Sequence, residues 1–204
     1  MKKIISKLLY AIPSLYLFVQ LFRPRIGSVK GDLQSVHDLF VNKDLDKSIA
    51  VDLGCGPSPQ NRFNAENSFG IDLYENPSKN VSKIQLGFQK LPFESDSVDY
   101  LTAYDLLEHI PRYAALPEHG NNPFIFLMNE CYRVLRKGGV FLSMTPIYPY
   151  LDAFQDPTHN NIMTVDTFRT YFSNKHAKLY GITANFEICY QKMLGPHLVA
   201  VMKK

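Results

Sequence analysis

Ser48-Ile49-Ala50-Val51-Asp52-Leu53-Gly54-Cys55-Gly56-Pro57 decides how the chain is read. A short apolar run ends in an acid, and two glycines follow, one residue apart. That pattern predicts a buried strand running into a tight turn. Gly54 and Gly56 have no Cβ, so the backbone there can take unusual dihedrals and come close to a ligand. In a parallel α/β sheet, ligands bind just beyond the carboxyl ends of strands. A second strand-like run, Phe69-Gly70-Ile71-Asp72-Leu73, ends in an acid about twenty residues further on. An acid at that distance is placed to accept hydrogen bonds from a ribose. Taken alone, the first stretch also fits any strand that ends in a glycine turn.

More ordered blocks follow: Leu91-Pro92-Phe93, Ser97-Val98-Asp99-Tyr100, Leu107-Glu108-His109-Ile110 and Arg133-Val134-Leu135-Arg136-Lys137-Gly138-Gly139. With Val51–Gly56 and Gly70–Asp72 they make the chain resemble the class I S-adenosylmethionine (SAM)-dependent methyltransferases over roughly residues 45–145. The resemblance implies an α/β, Rossmann-like, doubly wound sheet of seven strands, mostly parallel with an antiparallel last strand. It implies SAM as cofactor, bound around Asp52, Gly54, Cys55, Gly56, Asp72, Leu73, Gly87, Phe88 and Tyr104. In that scheme Asp72 holds the ribose and Gly54 and Gly56 shape the methionine pocket. Residues near Phe88 and Tyr104 flank the adenine and methyl ends. Cys55 reads as a small packing residue in the turn.

The chain departs from that pattern twice. After the turn, Pro57-Ser58-Pro59-Gln60-Asn61-Arg62 stands where a long helix usually opens, and only about fifteen residues separate the two strands. A shortened first helix or an irregular loop is expected, with backbone N–H groups from Gly54 to Ser58, and Arg62, facing the cofactor carboxylate. The acid that often precedes Leu-Pro-Phe is also missing, since Gly87 and Phe88 occupy its place. The Phe88 backbone N–H is the substitute expected for adenine.

Other elements follow from periodicity. Lys83 to Leu86 reads as the third strand and Val98 to Ala103 as the fourth. Arg112 to Asn122 is an inserted loop. Pro123 opens a helix whose apolar stripe is Phe124, Leu127, Met128, Cys131, Val134 and Leu135, stopped by Gly138-Gly139. Val140 to Thr145 is the fifth strand, Val165 to Phe172 a short helix, and Phe186 to Tyr190 and Leu198 to Met202 a closing pair. Residues 27–46 hold Leu33, Val36, His37, Leu39 and Phe40 at spacing for a short helix over the cofactor site, with His37 a solvated or packing side chain.

Two loops carry chemistry. Tyr104-Asp105-Leu106-Leu107-Glu108-His109 follows the fourth strand, and Phe154-Gln155-Asp156-Pro157-Thr158-His159-Asn160-Asn161 follows the fifth. The second also resembles a segment of small bacterial methyltransferases found with glycan and lipopolysaccharide genes. Methyl transfer to a hydroxyl needs alignment of the nucleophile and removal of a proton. Histidine suits that role because its ordinary pKa lies near neutrality. His109 and His159 are the candidate catalytic bases, with Asp156 to orient one of them or bind substrate. Asp105, His109, His119, Asp156 and His159 have no metal-site spacing, so no metal ligands are assigned; only convergence in three dimensions would make a site.

The chain has 204 residues, 46% hydrophobic and 20% charged, with a formal net charge of +3. That suits one globular domain and lacks the basic stripe of a nucleic-acid binder. Three scattered cysteines indicate a reducing compartment. Residues 1–26 form a separate apolar segment flanked by Lys2, Lys3, Lys7, Arg23 and Arg25, ahead of a catalytic domain at 27–204. That segment fits a helix packed on the domain or on a partner subunit, an interfacial membrane helix, or an anchor or export signal. The expectation is a cytoplasmic enzyme, able to sit at the inner membrane face through residues 1–25. It would methylate an oxygen or nitrogen of a small molecule or a glycan, lipid-linked if the membrane is involved. A SAM-binding or partner-binding module without catalysis, and a nucleic-acid or protein methyltransferase, are the alternatives.

Overall fold

The structure, a computed structural model, describes residues 29–41, 47–115, 122–173 and 175–204. The segment at 1–26 and His119 lie outside the described residues. Seven strands form one sheet in the order β3-β2-β1-β4-β5-β7-β6. They are β1 (Ile49–Leu53), β2 (Asn67–Asp72), β3 (Val81–Lys83), β4 (Val98–Tyr104), β5 (Leu135–Pro146), β6 (Glu187–Leu194) and β7 (His197–Lys203). β1 through β5 pair in parallel; β7 runs antiparallel between β5 and β6. The expected architecture, closed by an antiparallel last strand, is the one observed.

Strands buried on both faces read as continuous apolar runs. Their alternation splits the core in two. Val51, Leu53, Leu101, Ala103 and Phe141 face α2 (Pro123–Val134). Ala50, Tyr100 and Leu142 face α1 (Val29–Phe40), which buries Leu33 and Val36. Asp52 and Thr102 sit at the same parity as Ala50 and Tyr100, so they lie on the α1 side. The α2 helix opens as expected: Asn122 accepts the Ile125 N–H at 3.0 Å, and Pro123 takes the first turn. A third helix, α3, covers Thr167–Tyr171.

Three boundaries differ from expectation. The α2 helix ends at Val134, because Leu135 already pairs with Val98. Gly138 (φ +80°) and Gly139 then lie inside the irregular opening of β5, where a Cβ on Gly139 would stand 2.9 Å from the Arg136 carbonyl. The glycines admit a bulge there; they do not stop the helix. The third strand is Val81–Lys83. Past Ile84, Gln85 accepts the Phe88 and Gln89 N–H groups, and the chain turns. Between β1 and β2 there is a loop with no helix, as expected. Asn61 brackets it by accepting the Ala65 N–H and donating to the Ala65 carbonyl at 2.8–2.9 Å. Phe63 anchors it, stacked on Tyr100 at 4.4 Å.

The block at Arg133 has a mechanical reason. Glu130 accepts the Leu91 N–H at 2.9 Å, and Arg133 donates to the Leu91 and Phe93 carbonyls while paired with Glu130 at 2.7 Å. One helical turn thus fastens Leu91-Pro92-Phe93 to the sheet. Strand order reverses on either side of β1, so the crevice between the carboxyl ends of β1 and β4 is the topological switch point.

Candidate active site

Two turns meet at that crevice. Gly54 (φ +67°) and Gly56 (φ +64°) adopt the left-handed conformation that glycine takes at no steric cost. Gly54 is also pressed by the β4 side: a Cβ there would lie 2.8 Å from Leu106 Cδ1. Gly56 differs, with nothing within 4 Å of its Cβ position. Cys55 packs its sulfur over Gly70, where a Cβ would collide with it. Asp72 ends β2, and its carboxylate accepts the Gly56 N–H at 2.8 Å and the Leu73 N–H at 2.7 Å. It also takes the Tyr74 N–H at 3.4 Å. A carboxylate offers about four acceptor positions, so Asp72 keeps capacity for one more donor. Leu73 lies beyond the strand and is exposed.

Asp52 is buried in the floor. Thr102 Oγ1 donates to it at 2.6 Å and Gln60 N–H at 2.8 Å. Burial pushes its carboxyl up to about 6, against the opposing pull of those two donors. Asp52 therefore ties the helix-free loop to the sheet.

The opposite wall comes from α1. His37 is fully buried: its Nδ1 lies 2.6 Å from the Leu33 carbonyl and its Nε2 2.5 Å from Tyr104 Oη. A carbonyl only accepts, so Nδ1 carries the proton and Nε2 accepts the Tyr104 hydroxyl. Burial lowers the His37 pKa to about 4, which keeps it neutral, and burial raises that of Tyr104. Arg62 lies over the Tyr104 ring, 5.6 Å from its centroid. Of the two expected roles His37 takes the packing one, edge-on to Phe63 at 4.8 Å, and it also holds Tyr104. Its helical position beside Leu33 and Val36 revealed burial, whereas its partner lies 67 residues away.

In the stretch expected to meet adenine, Gly87 (φ +84°) has Pro123 and Ile110 against its Cβ position. The Phe88 N–H donates to the Gln85 carbonyl at 3.0 Å, so it is not the free donor expected for adenine. A turn, not an open strand edge, occupies that stretch.

The structure brings together His109, Asp156 and His159. The rings of His109 and His159 meet edge to face, centroids 4.8 Å apart. Asp156 Oδ2 lies 3.9 Å from His159 Nε2. Thr158, which the sequence did not single out, links the group: its hydroxyl donates to Asp156 Oδ1 at 2.6 Å and lies 2.9 Å from His109 Nδ1. The hydroxyl proton is given to Asp156, whose pKa those Thr158 bonds lower. His109 Nδ1 must then donate to Thr158, leaving its Nε2 unprotonated in the neutral ring. His159 turns both ring nitrogens toward acceptors, Nδ1 to the Ala153 carbonyl at 3.3 Å and Nε2 to Asp156 Oδ2 at 3.9 Å.

Glu108 supports both loops. Its carbonyl accepts the Asn160 and Asn161 N–H groups at 2.8 and 2.9 Å, and its Oε2 accepts the Thr145 hydroxyl at 2.8 Å. Arg112 secures the same loop through Asn161 Oδ1 at 2.6 Å and the Ile162 carbonyl. Asp105 (φ +47°) points the other way and pairs with His197 at 3.0 Å.

Residues 51–143 match the model of a family described as a methyltransferase domain. A SAM-dependent methyltransferase from Archaeoglobus fulgidus is similar in structure: TM-score 0.55 and 17% identity, covering 93% of this chain and 99% of that one. So is the geranyl diphosphate C-methyltransferase of Streptomyces coelicolor, in complex with Mg2+, geranyl diphosphate and S-adenosylhomocysteine. Its TM-score is 0.59 at 10% identity, over 86% of this chain and 79% of that one. A phosphoethanolamine N-methyltransferase of Haemonchus contortus, with phosphoethanolamine and S-adenosylhomocysteine, gives 0.53 at 13%, over 86% and 43%. No curated protein matches the sequence. The chain therefore carries a methyltransferase domain over residues 51–143, in the fold of the SAM-dependent methyltransferases. Its cofactor is SAM, and the open ground beside Gly56 and the spare acceptor position on Asp72 fit that ligand. Among the described residues no helix is long and apolar enough to cross a membrane.

Proposed function

We propose that the enzyme methylates a hydroxyl or amino group of a small molecule or glycan, held between Tyr104 and the His109–His159 pair. The observation that carries this reading is the meeting of the two histidine rings, centroids 4.8 Å apart, with His109 Nδ1 engaged by Thr158 so that its Nε2 is left for the acceptor's proton. When bound, SAM supplies an electrophilic methyl on a sulfonium. The chain's own residues do the rest. Gly54, Gly56 and Asp72 hold the methionine and ribose, with Arg62 near the carboxylate end. Asp156 and Thr158 fix the His109 ring, and one Nε2 of the pair takes the acceptor's proton. The exposed Tyr148, Leu151 and Phe154 on the same loop give the acceptor an apolar rim, which suits an aglycone or lipid carrier.

Transfer of label from SAM to panels of sugars, amino sugars and phenols, by full-length protein, tests the reading. His159→Ala should lower kcat by about 100- to 10,000-fold and leave the KM for SAM unchanged. Undiminished turnover in that variant would sink the assignment. SAM binding with no transfer to any panel would favour a binding module.

A further inference from the structure

We infer that Glu108, His109 and His159 form a binding site for a divalent first-row transition-metal ion, which presents its open coordination positions to oxygen atoms of the acceptor. This deepens the proposed function, resting on the reading of the same cluster as the acceptor site. Among the described residues, this is a group of three metal-competent side chains whose ligand atoms all lie within 4.8 Å of one another. Two imidazoles and one carboxylate on one side of an ion leave positions open for substrate. Ligand atoms bound at 2.0–2.2 Å on one side of an ion sit roughly 2.8–3.6 Å apart, so side-chain shifts of about 1–2 Å close the observed spread.

Two further observations point to a cation. Glu108 is 1% exposed, and its Oε1 is buried with no hydrogen bond to another residue, while Oε2 is engaged by Thr145. A buried carboxylate oxygen left unpaired is costly, and a metal ion in reach removes that cost. Both histidines are also oriented as metal ligands are. His109 donates Nδ1–H to Thr158 and His159 turns Nδ1 to the Ala153 carbonyl, so both Nε2 atoms are left toward an ion, that of His159 with Asp156 Oδ2 3.9 Å away.

The cation would chelate vicinal oxygens, as a sugar diol offers, and lower the pKa of the hydroxyl to be methylated. The hydroxyl proton would pass to solvent, which reaches this edge of the site at the half-exposed Asp156. In that case the imidazoles act through the ion and no longer as the base.

The test is direct binding. Untagged full-length protein, stripped by a chelator, is titrated with Zn2+ and with Co2+, and Co2+ is read by its ligand-field absorption. One saturable equivalent is expected. His159→Ala should abolish the Co2+ bands. Thr158→Val, at an exposed position that touches no ion, should weaken binding roughly 10- to 100-fold by freeing His109. S-adenosylhomocysteine affinity, measured on the same samples, reports separately on the cofactor site: its loss in every sample would break the methyltransferase reading without touching the metal result. Absence of a saturable equivalent, or equal metal affinity in wild type, His159→Ala and Thr158→Val, overturns the proposal.

Discussion

Replacing Asp52 by asparagine should stabilise the protein at neutral pH and do nothing at pH 4. Asp52 is 2% exposed, and its folded pKa of about 6 lies above the ordinary 3.8. Between those values the folded chain holds a proton that the unfolded chain has lost. Stability from this group is therefore intact below pH 3.8, falls as pH rises, and is fully lost above pH 6. A rise of about two pH units corresponds to about 3 kcal/mol. His37 acts in the opposite sense: its pKa drops from 6.5 to about 4, so its contribution falls as pH falls through that window. The two dependences overlap and nearly cancel in the wild type, and only a difference curve isolates Asp52. An asparagine side chain at this position can still accept the Gln60 N–H and donate to Thr102 Oγ1, so the loop keeps both anchors. Urea denaturation of wild type and Asp52→Asn from pH 4 to 8 measures the gap. It should open from near zero at pH 4 to about 3 kcal/mol at pH 7. A gap independent of pH would refute the argument that charge burial sets it.

Gly54→Ala and Gly56→Ala form a controlled pair, since both residues have positive φ but only Gly54 is pressed by Leu106. Thermal denaturation should show a loss of about 1 kcal/mol for Gly56→Ala and about 3 for Gly54→Ala, where overpacking adds to the conformational cost. His37→Ala removes the partner of Tyr104 and opens a hole beside Phe63; a loss of about 3 kcal/mol in chemical denaturation is expected. Asp105→Asn should lower the pKa of His197, whose burial alone would lower it but whose Asp105 hydrogen bond raises it; NMR titration reads the change. Liposome flotation of the full chain against one starting near Ser28 checks the N-terminal segment. Equal recovery in the soluble fraction would exclude a membrane role for residues 1–25.

How legible the site was depended on whether its partners were near in sequence. The parallel strands were legible because burial on both faces leaves an unbroken apolar run, as in Ile49–Leu53 and Val98–Tyr104. The missing helix after β1 was legible because Pro57 and Pro59 crowd too short a connection. The end of α2 was not, since Gly138-Gly139 reads alike as a helix stop or a strand bulge; pairing with Val98 decides it. His109, Asp156 and His159 could be named from their loops. That they meet, and that Thr158 joins them, depends on contacts 49 residues apart. The His37–Tyr104 bond had only a helical stripe to announce it. The engaged Phe88 N–H had one local signal, Gly87 directly before it, whose positive φ makes the turn.

The glycine turn and the His159 loop are mechanically one object. Leu106 rests against Gly54, and three residues later His109 meets the His159 ring. Between them, Glu108 holds Asn160 and Asn161 through its carbonyl and Thr145 through its carboxylate. The short helical turn Leu107–His109 therefore receives the position of the glycine turn on one side and passes it to the His159 loop on the other. A perturbation at Gly54 should then change acceptor kinetics as well as SAM affinity, whereas one at Gly56, with open space at its Cβ, should change SAM affinity alone. This coupling accounts for Glu108 and His109 standing side by side: one carries the load between loops, and the other uses the position that load fixes.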